Sequence, residues 1–150
     1  MSKTLIAYYS WSGNTKRLAE KINQLLPSSD ILELKVPAGT FSNDMYETSD
    51  IADRQKANDK LPKIITPMPD FAKYDNILVG GPVWSYSSST PVLSFLKILG
   101  NYSGKVAPFY TSIGNNGAYE KIFTEENPKL NILPGNANGE NIEEWVKQFK

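Results

Sequence analysis

Short apolar runs alternate along this chain with segments whose apolar residues recur at helical spacing. Five runs rich in Val, Ile, Leu and Tyr predict β-strands at residues 4–9, 31–36, 76–81, 106–111 and 129–133. Continuous apolar strands that alternate with one-sided helices are typical of a parallel sheet covered on both faces. We therefore predict an α/β fold, a doubly wound five-stranded parallel sheet of order 2-1-3-4-5, in a single domain over residues 1–150.

Three segments each place several apolar residues on one helical face. These residues are Leu18, Ile22, Leu25 and Leu26 after the first strand, Val92, Phe95, Leu96 and Leu99 after the third, and Ile142, Trp145, Val146 and Phe149 at the end of the sequence. Thr90 has the position of an N-cap and Pro91 that of a first helical residue. Asn141 and Glu144 have the spacing of a capping box. The pattern predicts helices at all three places.

The segment 37–69 is the least regular part of the sequence, with prolines at positions 37, 62, 67 and 69 and mixed charges over 44–60. A connection of this length without secondary structure is unusual inside a compact domain. We therefore predict one helix in its middle, beginning near Met45, with irregular chain on either side.

The composition removes several classes of chemistry. The chain has no cysteine and no histidine, which excludes thiol redox chemistry, Cys/His zinc sites and Ser-His-Asp triads. Any redox chemistry must therefore come from a bound cofactor. The 16 basic and 16 acidic residues balance, so neither nucleic acid nor an anionic membrane is an expected partner. Because no targeting or membrane-spanning pattern is visible, we expect a cytoplasmic protein.

The residues between the first strand and the next helix have the composition of a phosphate-binding loop. They are Ser10, Trp11, Ser12, Gly13, Asn14 and Thr15. Backbone N–H groups and the positive end of a helix dipole favour an anion there, and the polar side chains add donors. The loop lacks the glycine spacing of a dinucleotide motif and the Gly-Lys-Ser/Thr ending of a triphosphate loop, which favours a mononucleotide phosphate. Taken alone, it is also compatible with a helix cap that binds nothing.

Two further loops follow the third and fourth predicted strands, at the edge where this topology opens a crevice. The first of them consists of Pro82, Val83, Trp84, Ser85 and Tyr86. Its two aromatic rings either stack on a planar heterocycle or fill the crevice wall. The second contains Thr111, Ser112, Ile113, Gly114 and Asn115. Its amides either hydrogen-bond the edge of such a heterocycle or form an ordinary turn, and the shared position of the three loops favours one site.

With these loops the chain resembles the flavodoxins, specifically the short flavodoxin-like proteins, over nearly its full length. Residues 10–15 are similar to the family's phosphate loop Ser/Thr-x-Thr-Gly-Asn-Thr, 74–84 to its third strand and flavin-stacking loop, and 109–112 to its fourth strand. The resemblance implies a flavodoxin-like fold with FMN as the cofactor. It implies that the phosphate lies on Ser10, Ser12, Asn14 and Thr15, and the isoalloxazine ring between residues 82–86 and 112–115.

Some positions depart from the family pattern. Ser12 replaces the usual Thr and keeps the hydroxyl, whereas Ile113 replaces a common Gly and limits the approach of the backbone to the ring. In many flavodoxins a glycine beside the ring lets a peptide flip and stabilise the one-electron-reduced flavin. Ser85 and Tyr86 disfavour positive φ, so we expect that stabilisation to be weak. The zero net charge also makes charge-steered partner binding less assured than in acidic electron carriers.

The resemblance implies an FMN-binding electron-transfer protein that exchanges electrons with redox partner proteins or an NAD(P)H reductase. The alternative is an FMN-dependent NAD(P)H:quinone-type oxidoreductase, an enzyme in its own right. A third interpretation is a flavodoxin-like binding module without flavin, against which the complete hydroxyl set of the first loop argues. The oligomeric state is left open, and we expect neither a metal site nor a catalytic side chain.

Overall fold

The fold is that of a computed structural model, which describes residues 3–112 and 116–150. Its strands are β1 (Thr4–Tyr8), β2 (Asp30–Glu33), β3 (Asn76–Trp84), β4 (Ser87–Ser88), β5 (Lys105–Thr111), β6 (Asn131–Ile132) and β7 (Asn136–Ala137). Its helices are α1 (Asn14–Leu25), α2 (Met45–Ala57), α3 (Thr90–Leu99), α4 (Tyr119–Glu126) and α5 (Ile142–Val146), with short 3-10 helices at Phe71–Lys73 and Lys147–Phe149. Within the described ranges, none of the helices is long and apolar enough to cross a membrane.

The sheet has the order β2-β1-β3-β5-β6, and each of these neighbouring pairs is parallel. Because β5 and β6 are the fourth and fifth predicted strands, this order confirms the predicted arrangement 2-1-3-4-5. Two short strands are additional, since β4 pairs antiparallel with β3 and β7 pairs parallel with β5. Strands of two residues carry no periodic signal, which is why the apolar pattern did not indicate them.

Alternate residues of the central strands point to opposite faces of the sheet and form two hydrophobic clusters. On one face Ile6, Leu78 and Phe109 pack with residues of α1 and α5. On the other face Leu5 and Ile77 pack with residues of α3 and α4. The chain therefore leaves β1 and β3 toward opposite faces, and this divergence opens a crevice at the carboxyl ends of the two strands.

The helix predicted near Met45 is confirmed as α2. Asp44 caps it, because its carboxylate accepts a hydrogen bond from the backbone N–H of Tyr46 at 2.9 Å. The returning chain then covers the edge of the sheet: Thr66 Oγ1 donates to the carbonyl of Glu33 and accepts from the N–H of Lys35, both at 2.8 Å. The irregular segment thus protects the edge strand β2 from pairing with another chain.

Two predicted caps are wrong in detail. Thr90 is the first residue of α3, and Ser89 is its N-cap without a side-chain capping bond. Asn141 is the N-cap of α5, but it lies in the left-handed region with φ 49° and its side chain makes no capping bond. A capping box requires an extended N-cap, so this backbone does not form one. The Glu144 carboxylate accepts a hydrogen bond from Lys147 Nζ at 2.9 Å.

Candidate functional site

The loop between β1 and α1 leaves backbone donors unused at the start of a twelve-residue helix. Gly13 is the N-cap with φ 97°, and Ser10 Oγ accepts from the N–H of Gly13 at 3.0 Å and of Lys16 at 3.3 Å. None of the described residues accepts a hydrogen bond from the N–H of Asn14 or Thr15. These two amides, together with the free proton of the Ser10 hydroxyl, form a donor set suited to an anion.

The side chains of the same loop divide into free and engaged groups. Ser12 and Asn14 are exposed, and the Asn14 side chain accepts a hydrogen bond from the Arg17 guanidinium. Thr15 is buried, and its Oγ1 lies 2.9 Å from Thr111 Oγ1 at the end of β5. The hydroxyl pair joins the first and third predicted loops directly, which supports the prediction that they belong to one site.

The two aromatic residues of the second loop have different environments. Trp84 is only 6% exposed and packs edge-on against Tyr9 and Phe41, with ring centroids 5.6 Å and 4.9 Å away. Tyr86 is 64% exposed. The structure therefore places the indole in the crevice wall, and Tyr86 is the aromatic residue of this loop with an open ring face.

The turn that carries Tyr86 corrects an expectation about its backbone. Val83 pairs with Ser88 and Trp84 with Ser87, so Ser85 and Tyr86 form the two-residue loop of a β-hairpin. Their φ values are 49° and 61°. The expectation that these residues avoid positive φ is wrong, because a tight hairpin requires positive φ at both positions to follow the twist of its strands.

Contacts from two other elements hold this turn. The backbone N–H of Ala118 donates to the carbonyl of Tyr86 at 2.8 Å. Gly117 lies directly against Tyr86, since a Cβ on Gly117 would lie 2.4 Å from Tyr86 Cβ. Ser85 Oγ donates to Asp53 Oδ2 of α2 at 3.5 Å, which is a weak hydrogen bond. The surrounding chain thus stabilises a backbone conformation that Ser and Tyr rarely adopt.

The third loop is partly described. The N–H of Ser112, predicted to face the heterocycle, instead donates to Asn138 Oδ1 at 2.8 Å, and Ser112 Oγ donates to Asn116 Oδ1. The predicted site residues Ile113, Gly114 and Asn115 lie outside the described residues. Sequence reasoning missed Asn138, although the pair Asn138-Gly139 is a common turn signal.

Two more residues of the site were not predicted. They are Phe41, whose ring packs against Trp84, and Ser42. The backbone carbonyl of Ser42 accepts a hydrogen bond from Trp11 Nε1 at 2.9 Å. Both residues come from the chain that returns after β2, so only tertiary structure brings them to this loop. Trp11 is therefore fixed toward the wall of the site.

A cavity of about 370 Å³ lies between the first and third loops. Its lining residues are Asn14, Arg17, Leu18, Thr111, Ser112 and Asn138. Burial raises the pKa of Tyr9, whose ring packs against Trp84 in the wall of the site, to about 12, so its phenol stays protonated well above neutral pH. No group of acidic residues in the described ranges could hold a metal ion. The cavity is lined mainly by polar groups, and the neutral backbone N–H groups at the start of α1 suit an anionic ligand.

Comparisons with known proteins agree with this geometry. A family model described as Flavodoxin matches residues 3–149. The chain is similar to a flavoprotein from Lactobacillus acidophilus crystallised in complex with FMN, at 44% identity over 97% of this chain and 99% of that one, with a TM-score of 0.91. The apo-form of the flavoprotein from the same organism, solved by NMR, is 45% identical over 97% of each chain, with a TM-score of 0.78.

A flavodoxin from the domain Archaea is 17% identical over 97% of this chain and 99% of that one, with a TM-score of 0.53, and this likeness concerns the fold alone. The strand order is the one that the apolar pattern predicted, and it agrees with the flavodoxin-like fold that the resemblance implied. Because the family model spans nearly the whole sequence, the chain belongs to the flavodoxin family.

Proposed function

We propose that this protein binds FMN at the three loops and works as an electron-transfer flavoprotein. The observation that carries the proposal is that no described residue accepts a hydrogen bond from the backbone N–H groups of Asn14 and Thr15 at the start of α1. A phosphate monoester accepts several hydrogen bonds there and interacts favourably with the helix dipole. The FMN bound by the similar Lactobacillus acidophilus flavoprotein supports the same ligand.

The residues present fit this cofactor. The N–H groups of Asn14 and Thr15 and the hydroxyls of Ser10 and Ser12 would hold the phosphate without a lysine. Tyr86 would provide the open aromatic face for the ring, while Trp84 and its neighbours form the wall and exclude water. When bound, FMN supplies the ability to take up and release electrons, and the protein supplies position and hydrogen bonds.

The surface beside the hairpin suggests the chemistry of the partner. Asp44, Glu47, Asp50 and Asp53 are exposed and recur at every third position from the cap of α2, although the whole chain has no net charge. Asp53 contacts Ser85 in the hairpin turn and also pairs with Lys56 Nζ at 3.7 Å, so this acidic row ends at the site. We propose that a redox protein or an NAD(P)H reductase approaches here with a basic surface.

A titration of the apoprotein with FMN, riboflavin and FAD, followed by flavin fluorescence, tests the cofactor. We expect FMN to bind about a hundredfold more tightly than riboflavin, because the phosphate adds hydrogen bonds to a charged group. Equal affinity for FMN and riboflavin would contradict a phosphate site at α1. Failure to bind any flavin would favour the interpretation as a binding module without cofactor.

An FMN-dependent NAD(P)H:quinone-type oxidoreductase is the second candidate, and one observation favours it. The hairpin turn has only two residues and Tyr86 is largely exposed, which leaves the face of the site accessible to a small acceptor. Anaerobic mixing with NADH or NADPH separates the two functions. Bleaching of the flavin by the nucleotide alone would identify an enzyme, whereas bleaching only after addition of a reductase would identify a carrier.

A further inference from the structure

Arg17 places a positive charge at the end of α1 where the helix dipole disfavours one. It is the fourth residue of the helix and follows Lys16, and the first turn contains no acidic residue. Cations are destabilising near a helix N-terminus, because the N–H groups there already carry partial positive charge. Two adjacent cations at this end therefore oppose the dipole, and a bound anion would remove that conflict.

The Arg17 guanidinium lies beside the loop before α1. It donates a hydrogen bond to Asn14 Oδ1, and its Nη1 lies 3.5 Å from an ideal Cβ on Gly13. This placement follows from helix geometry, since a long side chain extends back toward the N-terminus and reaches the residues three and four positions earlier. The charge is therefore held at the start of α1, where no described residue accepts from the N–H groups of Asn14 and Thr15.

No acidic neighbour neutralises this guanidinium. Glu20 lies three positions further along the same helix, at a spacing that suits an exposed ion pair. Arg17 nevertheless forms no ion pair within the part of the chain that the structure describes. A guanidinium has five N–H donors, and only one of its nitrogens donates to Asn14. Donors of Arg17 therefore remain for a ligand.

Arg17 also lines the cavity of about 370 Å³ between the first and third loops. Among the described residues that line this cavity, it is the charged one, and the others are neutral. A planar guanidinium can bind two oxygen atoms of a phosphate group at once, which a lysine ammonium cannot match. Both its charge and its shape therefore suit a phosphate ester in this cavity.

We propose that Arg17 binds the phosphate of FMN and sets the preference of this site for a phosphorylated flavin. The inference rests on the proposed function, in which the loop before α1 holds that phosphate. The backbone N–H groups are neutral, whereas the guanidinium neutralises part of the phosphate charge and adds charge-assisted hydrogen bonds. Asn14 Oδ1 keeps the guanidinium in place and is a positioning residue for Arg17.

Titration of the apoprotein with FMN and with riboflavin tests this role. In Arg17→Gln the affinity for FMN should fall about tenfold, because hydrogen bonds between two charged groups are lost. The affinity for riboflavin, which lacks the phosphate, should stay within about twofold of the parent. Arg17→Lys should have an intermediate affinity for FMN, since it keeps the charge without the planar fork.

Lys16→Gln is the matched control. It removes the same charge from the adjacent exposed residue, whose side chain makes no hydrogen bond or ion pair within the described ranges. It should weaken FMN binding by less than about threefold. Added NaCl screens exposed charges, so the preference of the parent for FMN over riboflavin should fall with salt, and it should fall less in Arg17→Gln.

Urea unfolding of the apoproteins separates binding from structure. Arg17→Gln should be as stable as the parent or more stable, because it removes a charge that opposes the dipole. Equal affinity of the parent for FMN and riboflavin would contradict the phosphate site itself. If the parent prefers FMN, three results would overturn the role of Arg17 alone: the full preference in Arg17→Gln, an equal loss in Lys16→Gln, or a tenfold lower ratio of folded to unfolded Arg17→Gln, marked here as about the loss in affinity.

Discussion

The loop before α1 and the hairpin turn after β3 meet the same geometric requirement in different ways. Both need positive φ at the edge of the sheet. The loop has Gly13 at φ 97°, whereas the hairpin has Ser85 at 49° and Tyr86 at 61°. Glycine adopts such angles without steric cost, but each of the other residues costs about 1–2 kcal/mol. The loop is therefore relaxed, and the hairpin depends on the contacts around it.

This difference follows from what each segment contributes. The loop offers backbone N–H groups, so a residue without a side chain suits it. The hairpin offers the ring of Tyr86, and a glycine at that position would remove the ring. Strain in the turn is thus the result of placing an aromatic side chain where the backbone favours glycine, and it is balanced by Gly117, Ala118 and Asp53.

The largest effect is expected at the wall of the site. Trp84→Ala removes an indole packed between Tyr9 and Phe41 and should lower the free energy of unfolding by about 3–5 kcal/mol in urea denaturation. Tyr86→Ala removes an exposed ring and should change that free energy by less than about 0.5 kcal/mol while weakening FMN binding. Equal losses of stability would contradict the division into wall and exposed ring.

The next effect tests how the hairpin is held. Gly117→Ala places a methyl group 2.4 Å from Tyr86 Cβ at φ 58°, so strain and overpacking together should cost about 2–4 kcal/mol. Gly39→Ala is the control, since its φ is 83° and its new Cβ would have no atom within 4 Å. It should cost only the strain, about 1–2 kcal/mol. Similar losses in both variants would show that Gly117 does not support the turn.

Gly13 tests the relaxed loop. Gly13→Ala should cost about 1–2 kcal/mol of stability and weaken FMN binding, because the backbone must leave φ 97° or remain strained. Gly39→Ala at φ 83°, with no atom within 4 Å of its new Cβ, should cost the same stability without changing the affinity for FMN. Urea denaturation and flavin titration of both variants measure the two effects. An unchanged FMN affinity in Gly13→Ala would separate this loop from the cofactor.

The smallest effect has the opposite sign. Ser85→Gly relieves strain in the turn and should raise the free energy of unfolding by about 0.5–1 kcal/mol, after the entropy cost of glycine. Asp59→Gly relieves a similar φ of 53° elsewhere and should give a similar gain. If Asp59→Gly is stabilising and Ser85→Gly is not, the turn is not strained.

Much of the fold was predictable, because its central strands are buried on both faces and appear as continuous apolar runs. The same pattern could not indicate two-residue strands such as β4. The turn before α1 was predictable because its polar residues are local, between a strand and its helix, and its role in binding phosphate stays a prediction. Phe41 and Asn138 reach the site only through tertiary packing. No local signal marked Phe41, and the turn signal Asn138-Gly139 does not indicate which residues the turn contacts. The φ values of Ser85 and Tyr86 follow from hairpin pairing, which overrides residue preference.

The hydroxyl pair of Thr15 and Thr111 has a consequence for communication across the crevice. Two hydroxyls in contact use one hydrogen between them and leave the other free to turn. An anion at α1 would favour the orientation in which the Thr15 hydroxyl hydrogen points to the anion. The Thr111 hydroxyl would then donate its own hydrogen to Thr15 Oγ1. The direction of this one hydrogen bond would in this way depend on whether an anion is bound at α1. Binding would change the hydroxyl orientation of Thr111 at the end of β5 without any movement of the backbone.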